Sequence, residues 1–354
     1  MVARQGRALE ILLLERLAPD AQAWLEERHA VSLRPDLADA DTAALRRAVY
    51  KAQAVVLSRK ALVTREFLDF APMLKAVARL HVSSDNTDLE ACRERRVRVI
   101  QASSASLRAN AEYLLAGLLS LFRRGIGESL AGDRHAPIRL GRELHGSVLG
   151  LLGLAPSAHP LAIMLQSLGV KLIGYDPAVH QTAPTWRRLG VQPVTLDELV
   201  AHADAVAVQV LYASRYRGFV NDKVLAHCKP GQVWVSNTRS DFFDPHALAR
   251  ALTDGRIEAA LLDSAEAGFA SQGSPLHERA NLFLTPRLGS YTRESRQRAS
   301  WYVAQRIHET LTAPSPSMFD GTVSGLMGLL DPGGPETQPS RAAPAAPGSS
   351  PETP

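Results

Sequence analysis

The sequence predicts an α/β protein made of two doubly wound parallel sheets. Three observations predict it. Short apolar runs alternate with helical stretches along most of the chain, the pattern of parallel strands covered on both faces. The length, 354 residues, suits two domains at roughly 100–200 residues each. A second alternating series begins at Ser147 and repeats the style of the first.

The elements follow in order. Ala8–Leu14 is an apolar run with no room for a helix before Pro19, so it reads as a buried strand. Asp20–Arg28 reads as a helix and Val31–Leu33 as a strand. A helix over 41–51 then leads into a strand at Ala54–Leu57. Val77–Val82 and Val97–Ile100 are strands separated by the helical stretch Leu89–Arg95. In Asn110–Arg124 the residues Tyr113, Leu114, Leu118, Leu121 and Phe122 recur at helical spacing. That helix is apolar around most of its circumference, which predicts burial between domains or between subunits. In the second series Val148–Leu154, Lys171–Tyr175, Ala205–Leu211, Gln232–Ser236, Ala259–Leu262 and Leu282–Leu284 read as strands. Pro160–Leu168, Leu196–His202, Asp222–His227, Pro245–Thr253 and Thr292–Thr312 read as helices. Residues 331–354 hold seven of the 22 prolines, a composition that predicts a disordered tail. The short apolar stretch Val323–Leu330 reads as packing on the parent domain, with partner docking as the alternative.

Composition narrows the function. Forty basic against 36 acidic residues leave a net charge of +4, too little at this length to argue nucleic-acid binding despite a pI near 9.2. No run of 18 apolar residues predicts a membrane helix, and no signal peptide is read at the N-terminus. Cys92 and Cys228 lie in neither disulfide-rich nor metal-binding spacing, which fits a reducing, cytoplasmic setting.

The strand–helix turn at Gly153-Leu154-Ala155-Pro156-Ser157-Ala158 carries a dinucleotide signal. A G-x-G-x-x-G turn lets the backbone approach a pyrophosphate held at a helix N-terminus. Here the first glycine is kept and the other two are alanines. Asp176 follows the next strand, 18 residues after Ala158, where a carboxylate meets adenosine ribose hydroxyls. An acid there favours NAD over NADP. The alternative is a plain βαβ unit in which Asp176 begins a turn with Pro177. Ala155 adds a methyl group near the expected pyrophosphate, and Pro156 removes one N–H donor.

From Leu144 to Leu311 the order of motifs resembles the D-isomer-specific 2-hydroxyacid dehydrogenases, and within them the C-terminal-binding-protein branch. The motifs are His145–Leu154, Gly174-Tyr175-Asp176-Pro177, Lys229-Pro230-Gly231, Val235–Arg239, Asp244–Leu248, Gly255-Arg256-Ile257, Leu262–Glu266, Phe269–Leu276 and Asn281–Arg287. In the first half, Asp85–Leu89 and Asn110-Ala111-Glu112 resemble a loop and an interdomain helix of that family. The resemblance implies two Rossmann-like domains of the formate/glycerate dehydrogenase-like type with a cleft between them. Residues 1–116 plus 288–330 would form the substrate domain, and 117–287 the NAD-binding domain. It further implies a homodimer, and an NAD (NADH) cofactor held by Gly153–Ala158, Asp176 and Asp263. The implied ligand is a small 2-oxo or 2-hydroxy acid or another small anion.

The family reaction uses three side chains. An arginine holds the substrate carboxylate, a histidine exchanges the proton, and a glutamate orients the histidine. Arg239 matches the arginine and Glu266 the glutamate, but the histidine position is Arg287. A guanidinium, with a pKa above about 12, cannot cycle a proton near neutrality. Arg287 therefore predicts an ion pair with Glu266, or an anion clamp, in place of acid–base work. A structural arginine bridging the domains is the alternative for Arg239, and a rim ion pair with Arg287 the alternative for Glu266; His81 in the facing loop is a candidate replacement donor. Further departures are His81-Val82-Ser83 in the first-domain loop, Leu211-Tyr212-Ala213 after a strand, and Ser240-Asp241 after the arginine. Asp241 places a carboxylate where an anion should bind, in reach of Arg239. Three functions stay open. One is an NAD(H)-binding relative with impaired catalysis, acting as a nucleotide sensor or corepressor-like scaffold with a protein partner. The second is a working reductase with an unusual proton donor, and the third a structural homodimer without nucleotide.

Overall fold

Aliphatic residues on both faces bury the central strands, as a sheet between helix layers requires, while the outer strands stay partly exposed. The computed structural model describes residues 11–38, 42–58, 61–81, 86–124, 140–263, 266 and 268–313. The expected tail, the Val323–Leu330 stretch and the start of the first predicted strand lie outside these residues.

The first sheet is fully parallel. Its strands are β1 (Ile11–Leu13), β2 (Val31–Leu33), β3 (Ala54–Val56), β4 (Ala76–Arg79) and β5 (Arg98–Gln101), in the order β2-β1-β3-β4-β5. Helices α1 (Pro19–Glu26), α2 (Thr42–Tyr50), α3 (Arg65–Asp69) and α4 (Leu89–Glu94) connect them. The last helix, α11 (Arg293–Thr312), returns to this sheet. Its Ala299, Val303, Ala304 and Ile307 complete a core with Ile11, Leu13, Leu25 and Ala78.

Between the two sheets runs α5 (Leu107–Phe122), which packs on the second sheet through Leu114, Gly117, Leu118 and Leu121. Gly117 is required there, because a Cβ would stand 2.5 Å from the Leu261 side chain. The helix leaves only a narrow exposed stripe through Glu112, Ala116 and Leu119. The expected domain boundary at residue 116 falls inside this helix.

The second sheet has seven parallel strands: β6 (Val148–Leu152), β7 (Lys171–Tyr175), β8 (Gln192–Pro193), β9 (Ala205–Val208), β10 (Gln232–Ser236), β11 (Ile257–Leu262) and β12 (Leu282–Leu284). Their order is β12-β11-β10-β9-β6-β7-β8. The chain reverses direction across the sheet between β6 and β9, and such a switch point opens a ligand crevice at the carboxyl ends of the strands. The connecting helices are α6 (Ala158–Ser167), α7 (Pro184–Arg188), α8 (Leu196–His202), α9 (Asp222–Leu225) and α10 (Pro245–Thr253). Helix α10 shows why the starts were readable: the Asp244 carboxylate accepts the Ala247 N–H and Pro245 occupies the first turn. Such a cap contributes about 1 kcal/mol. Helix α6 begins two residues before the expected Pro160, because proline is tolerated in the first turn, where N–H groups lack intrahelical partners. Among the described residues no helix is long and apolar enough to cross a membrane.

Candidate functional site

The nucleotide turn follows directly from the end of β6. Gly153 has φ of +100°, and a Cβ there would lie 2.6 Å from backbone atoms of Gln209 and Val210, which leave β9. Only glycine lets these two strand ends meet at the switch point. The Ala155 N–H donates to the Gln209 carbonyl at 3.0 Å, which folds the turn inward. Ala155 is 9% exposed. Most of its methyl group is therefore covered by protein. Pro156 and Ser157 lead into the ten-residue α6, whose amino end carries the partial positive charge of the helix dipole. Ser157 is 5% exposed and Ala158 is fully buried, so of the glycine-turn positions Leu154 and Pro156 lie nearer the surface.

Asp176 stands one residue beyond β7. Its Oδ2 accepts the Leu154 N–H and its Oδ1 the Ala178 N–H, both at 2.7 Å. Each carboxylate oxygen keeps a second lone pair for a ribose hydroxyl. Gly153, the α6 amino end and Asp176 thus form one continuous cradle across the switch point, and these residues fit an adenine dinucleotide.

The second group of side chains gathers at the carboxyl ends of β9, β10 and β11. Arg239 Nε lies 3.3 Å from Glu266 Oε1 and 3.4 Å from Asp241 Oδ1. Arg287 Nη2 lies 3.5 Å from the same Glu266 oxygen. The structure therefore brings Arg239, Glu266 and Arg287 together, with Glu266 between two guanidinium groups. Asp241 pairs with Arg239 as the sequence suggested. Ser240 fixes the other Glu266 oxygen: its N–H donates to Oε2 at 2.9 Å and its hydroxyl makes a second, shorter bond there. The Tyr212 hydroxyl donates to Asp241 Oδ2 at 2.9 Å, and the Arg239 guanidinium carbon lies 5.0 Å from the centre of that ring. Burial, then the Asp241 carboxylate, push the Tyr212 phenol above its ordinary pKa. Asp241 Oδ1 and Glu266 Oε1 are buried and accept no hydrogen bond among the described residues. Such oxygens favour a ligand or water that offers donors.

Asp263, the other expected cofactor residue, is held by the protein itself. It is 5% exposed and accepts from the Thr285 hydroxyl at 2.6 Å, the Leu288 N–H at 2.6 Å and the Gly289 N–H at 2.7 Å. It ties down the loop that carries Arg287, itself held at φ of +60°. Burial raises the Asp263 pKa, and the hydrogen bonds oppose that rise. Because Thr285 gives its proton to Asp263, Tyr113 on α5 must donate to Thr285, at 2.6 Å. Burial pushes the Tyr113 phenol up to about 12. Sequence reading missed Tyr113, Thr285 and the clamping by Ser240. His81 has its Nε2 buried at the end of β4, and Val82-Ser83 lie outside the described residues.

Comparison with known proteins agrees with this geometry. Residues 117–289 match the family model "D-isomer specific 2-hydroxyacid dehydrogenase, NAD binding domain". The chain is 32% identical over 306 residues to (S)-sulfolactate dehydrogenase of Chromohalobacter salexigens, covering 85% of this chain and 98% of that one. It is also 32% identical over 307 residues to D-3-phosphoglycerate dehydrogenase of Mycobacterium tuberculosis, of which it spans only 56%. The TT0316 protein from Thermus thermophilus superposes with a TM-score of 0.73 at 26% identity, covering 85% of this chain and 96% of that one. The nucleotide cradle, the sheet order and these likenesses agree, and the chain belongs to the D-isomer-specific 2-hydroxyacid dehydrogenase family, with an NAD-binding domain in its second half.

Proposed function

We propose that this protein is an NAD(H)-dependent oxidoreductase of small 2-oxo or 2-hydroxy acids whose turnover is impaired by the arginine at position 287. The observation that carries the reading is the Arg239–Glu266–Arg287 cluster. It keeps a cation for a substrate carboxylate and a carboxylate beside it, but sets a guanidinium where a proton must be exchanged. Losing a general acid–base of that kind costs about 10²–10⁴-fold. Asp241 adds to the impairment, because a substrate carboxylate on Arg239 must compete with it.

A second reading rests on the same saturation of Arg239 by two carboxylates. In it the protein closes around NAD(H) and presents a surface to a protein partner, as the resemblance to the C-terminal-binding-protein branch implies. Exposed Leu119 on α5 and Ile163 on α6, two helices in contact, support a homodimer in either case.

Titration with NADH, followed by nicotinamide fluorescence, is expected to show binding in the micromolar range. No signal at millimolar NADH would return the protein to a purely structural role. Asp176→Ala is expected to weaken NADH about 10–100-fold, the worth of charge-assisted bonds to ribose hydroxyls. Equal affinity of both proteins would remove Asp176 from the site.

A further inference from the structure

We propose that Tyr212 is the proton donor to the substrate oxygen in this cleft. The inference rests on the reductase reading above and names the group that replaces the missing imidazole. Tyr212 follows the carboxyl end of β9 by four residues, on the segment whose first residues, Gln209 and Val210, meet Gly153 of the nucleotide turn. Its ring borders the Arg239 guanidinium at 5.0 Å, and Asp241, which accepts its hydroxyl, is itself 3.4 Å from Arg239. A carboxylate clamped on Arg239 would therefore lie beside the Tyr212 ring, on the side where its hydroxyl meets Asp241.

The other candidates in the cluster fail on chemistry. Arg287 does not release its proton near neutrality. Glu266 is taken up by Arg239 and Arg287 at Oε1 and by Ser240 at Oε2. Tyr113 donates to Thr285, and the Nε2 of His81 is buried.

When bound, NADH would supply the hydride that reduces C2 and would itself be oxidised to NAD+. As the C2–H bond forms, the carbonyl π pair moves onto oxygen, the Tyr212 O–H bond breaks, and that oxygen takes the proton. The phenolate left behind regains a proton from water. Arg217, whose Nη2 lies 3.6 Å from Asp241 Oδ2, and Arg239 steady its charge meanwhile. Asp241 aims the hydroxyl between turnovers.

The test uses the full chain with NADH, and glyoxylate and pyruvate as probes. Tyr212→Phe is expected to lower kcat by about 10²–10⁴-fold with NADH affinity unchanged. In an equilibrium titration with NADH present, the same variant is expected to bind oxamate, an unreactive 2-oxo acid analogue, about 10-fold more weakly through the lost hydrogen bond. Wild-type turnover is expected to stay level from about pH 6 to 9, since a phenol remains protonated there. An undiminished rate in Tyr212→Phe, a fall through an imidazole-like pKa near ~6.5, or no turnover of either acid by protein that binds NADH would each overturn the proposal. Failure to bind NADH would end both this inference and the reductase reading. With NADH bound, an undiminished rate in Tyr212→Phe or an imidazole-like fall with pH ends this inference alone, whereas no turnover of either acid ends the reductase reading with it.

Discussion

In a Tyr212→Phe background, Arg287→His is expected to raise reduction of glyoxylate or pyruvate by about 10²–10⁴-fold, the contribution of a positioned general acid–base. The surroundings are already built for an imidazole. Glu266 Oε1 lies 3.5 Å from the Arg287 side chain, and Ser240 holds the other Glu266 oxygen in place. A carboxylate so fixed orients a histidine and stabilises its charged form. The backbone also accepts the change. Position 287 has φ of +60°, a left-handed conformation in which histidine is enriched over most residues. Asp263 pins the same loop through Thr285, Leu288 and Gly289, so the new side chain starts from a fixed base. Steady-state kcat/KM at saturating NADH measures the effect. A new decline through a pKa near ~6.5 is expected with it. Restoring Tyr212 in this variant is expected to add little, because the imidazole then carries the proton. An unchanged rate on adding Arg287→His would mean that Asp241, rather than the lost imidazole, limits the site.

How much of this was legible depends on the range of the interactions. Strands such as Lys171–Tyr175 and Gln232–Ser236 were read to the residue, since a largely apolar run bounded by turns is a local signal. So were α8 and α10, whose starts the structure caps with Thr195 and Asp244. Helices α3 and α7, five residues each, escaped because they hold too few turns to show a period. The meeting of Arg239, Glu266 and Arg287 was foreseen from motif order, and the structure gives it distances. The Tyr212–Asp241 bond and the Tyr113–Thr285–Asp263 chain were not foreseen. Their partners are 29, 172 and 22 residues apart, and only loop geometry and the packing of α5 bring them together. Asp263 was expected at the cofactor from its motif. A motif states that a carboxylate is needed there, but not which N–H groups surround it.

Gly153→Ala is expected to destabilise the fold by about 2–5 kcal/mol and to abolish measurable NADH binding, through strain at positive φ added to steric overlap. The added Cβ would meet Gln209 and Val210 backbone atoms at 2.6 Å, and backbone cannot rotate away as a side chain tip can. Relief requires β6 and β9 to separate at their carboxyl ends, and that is where the crevice lies. Denaturant unfolding followed by tryptophan fluorescence reads the stability, since Trp234 is wholly buried in β10 beside β9. The companion change is Ala155→Gly, two residues on in the same turn. It restores a second glycine, yet Ala155 is already enclosed by protein, and its inward N–H bond to Gln209 does not depend on the methyl group. NADH affinity is therefore expected to stay near wild type in Ala155→Gly while it collapses in Gly153→Ala. A large gain in affinity from Ala155→Gly would show that the methyl group does border the pyrophosphate. The weak match of this turn to the glycine pattern would then be a real handicap in cofactor binding, and not a substitution absorbed inside the fold.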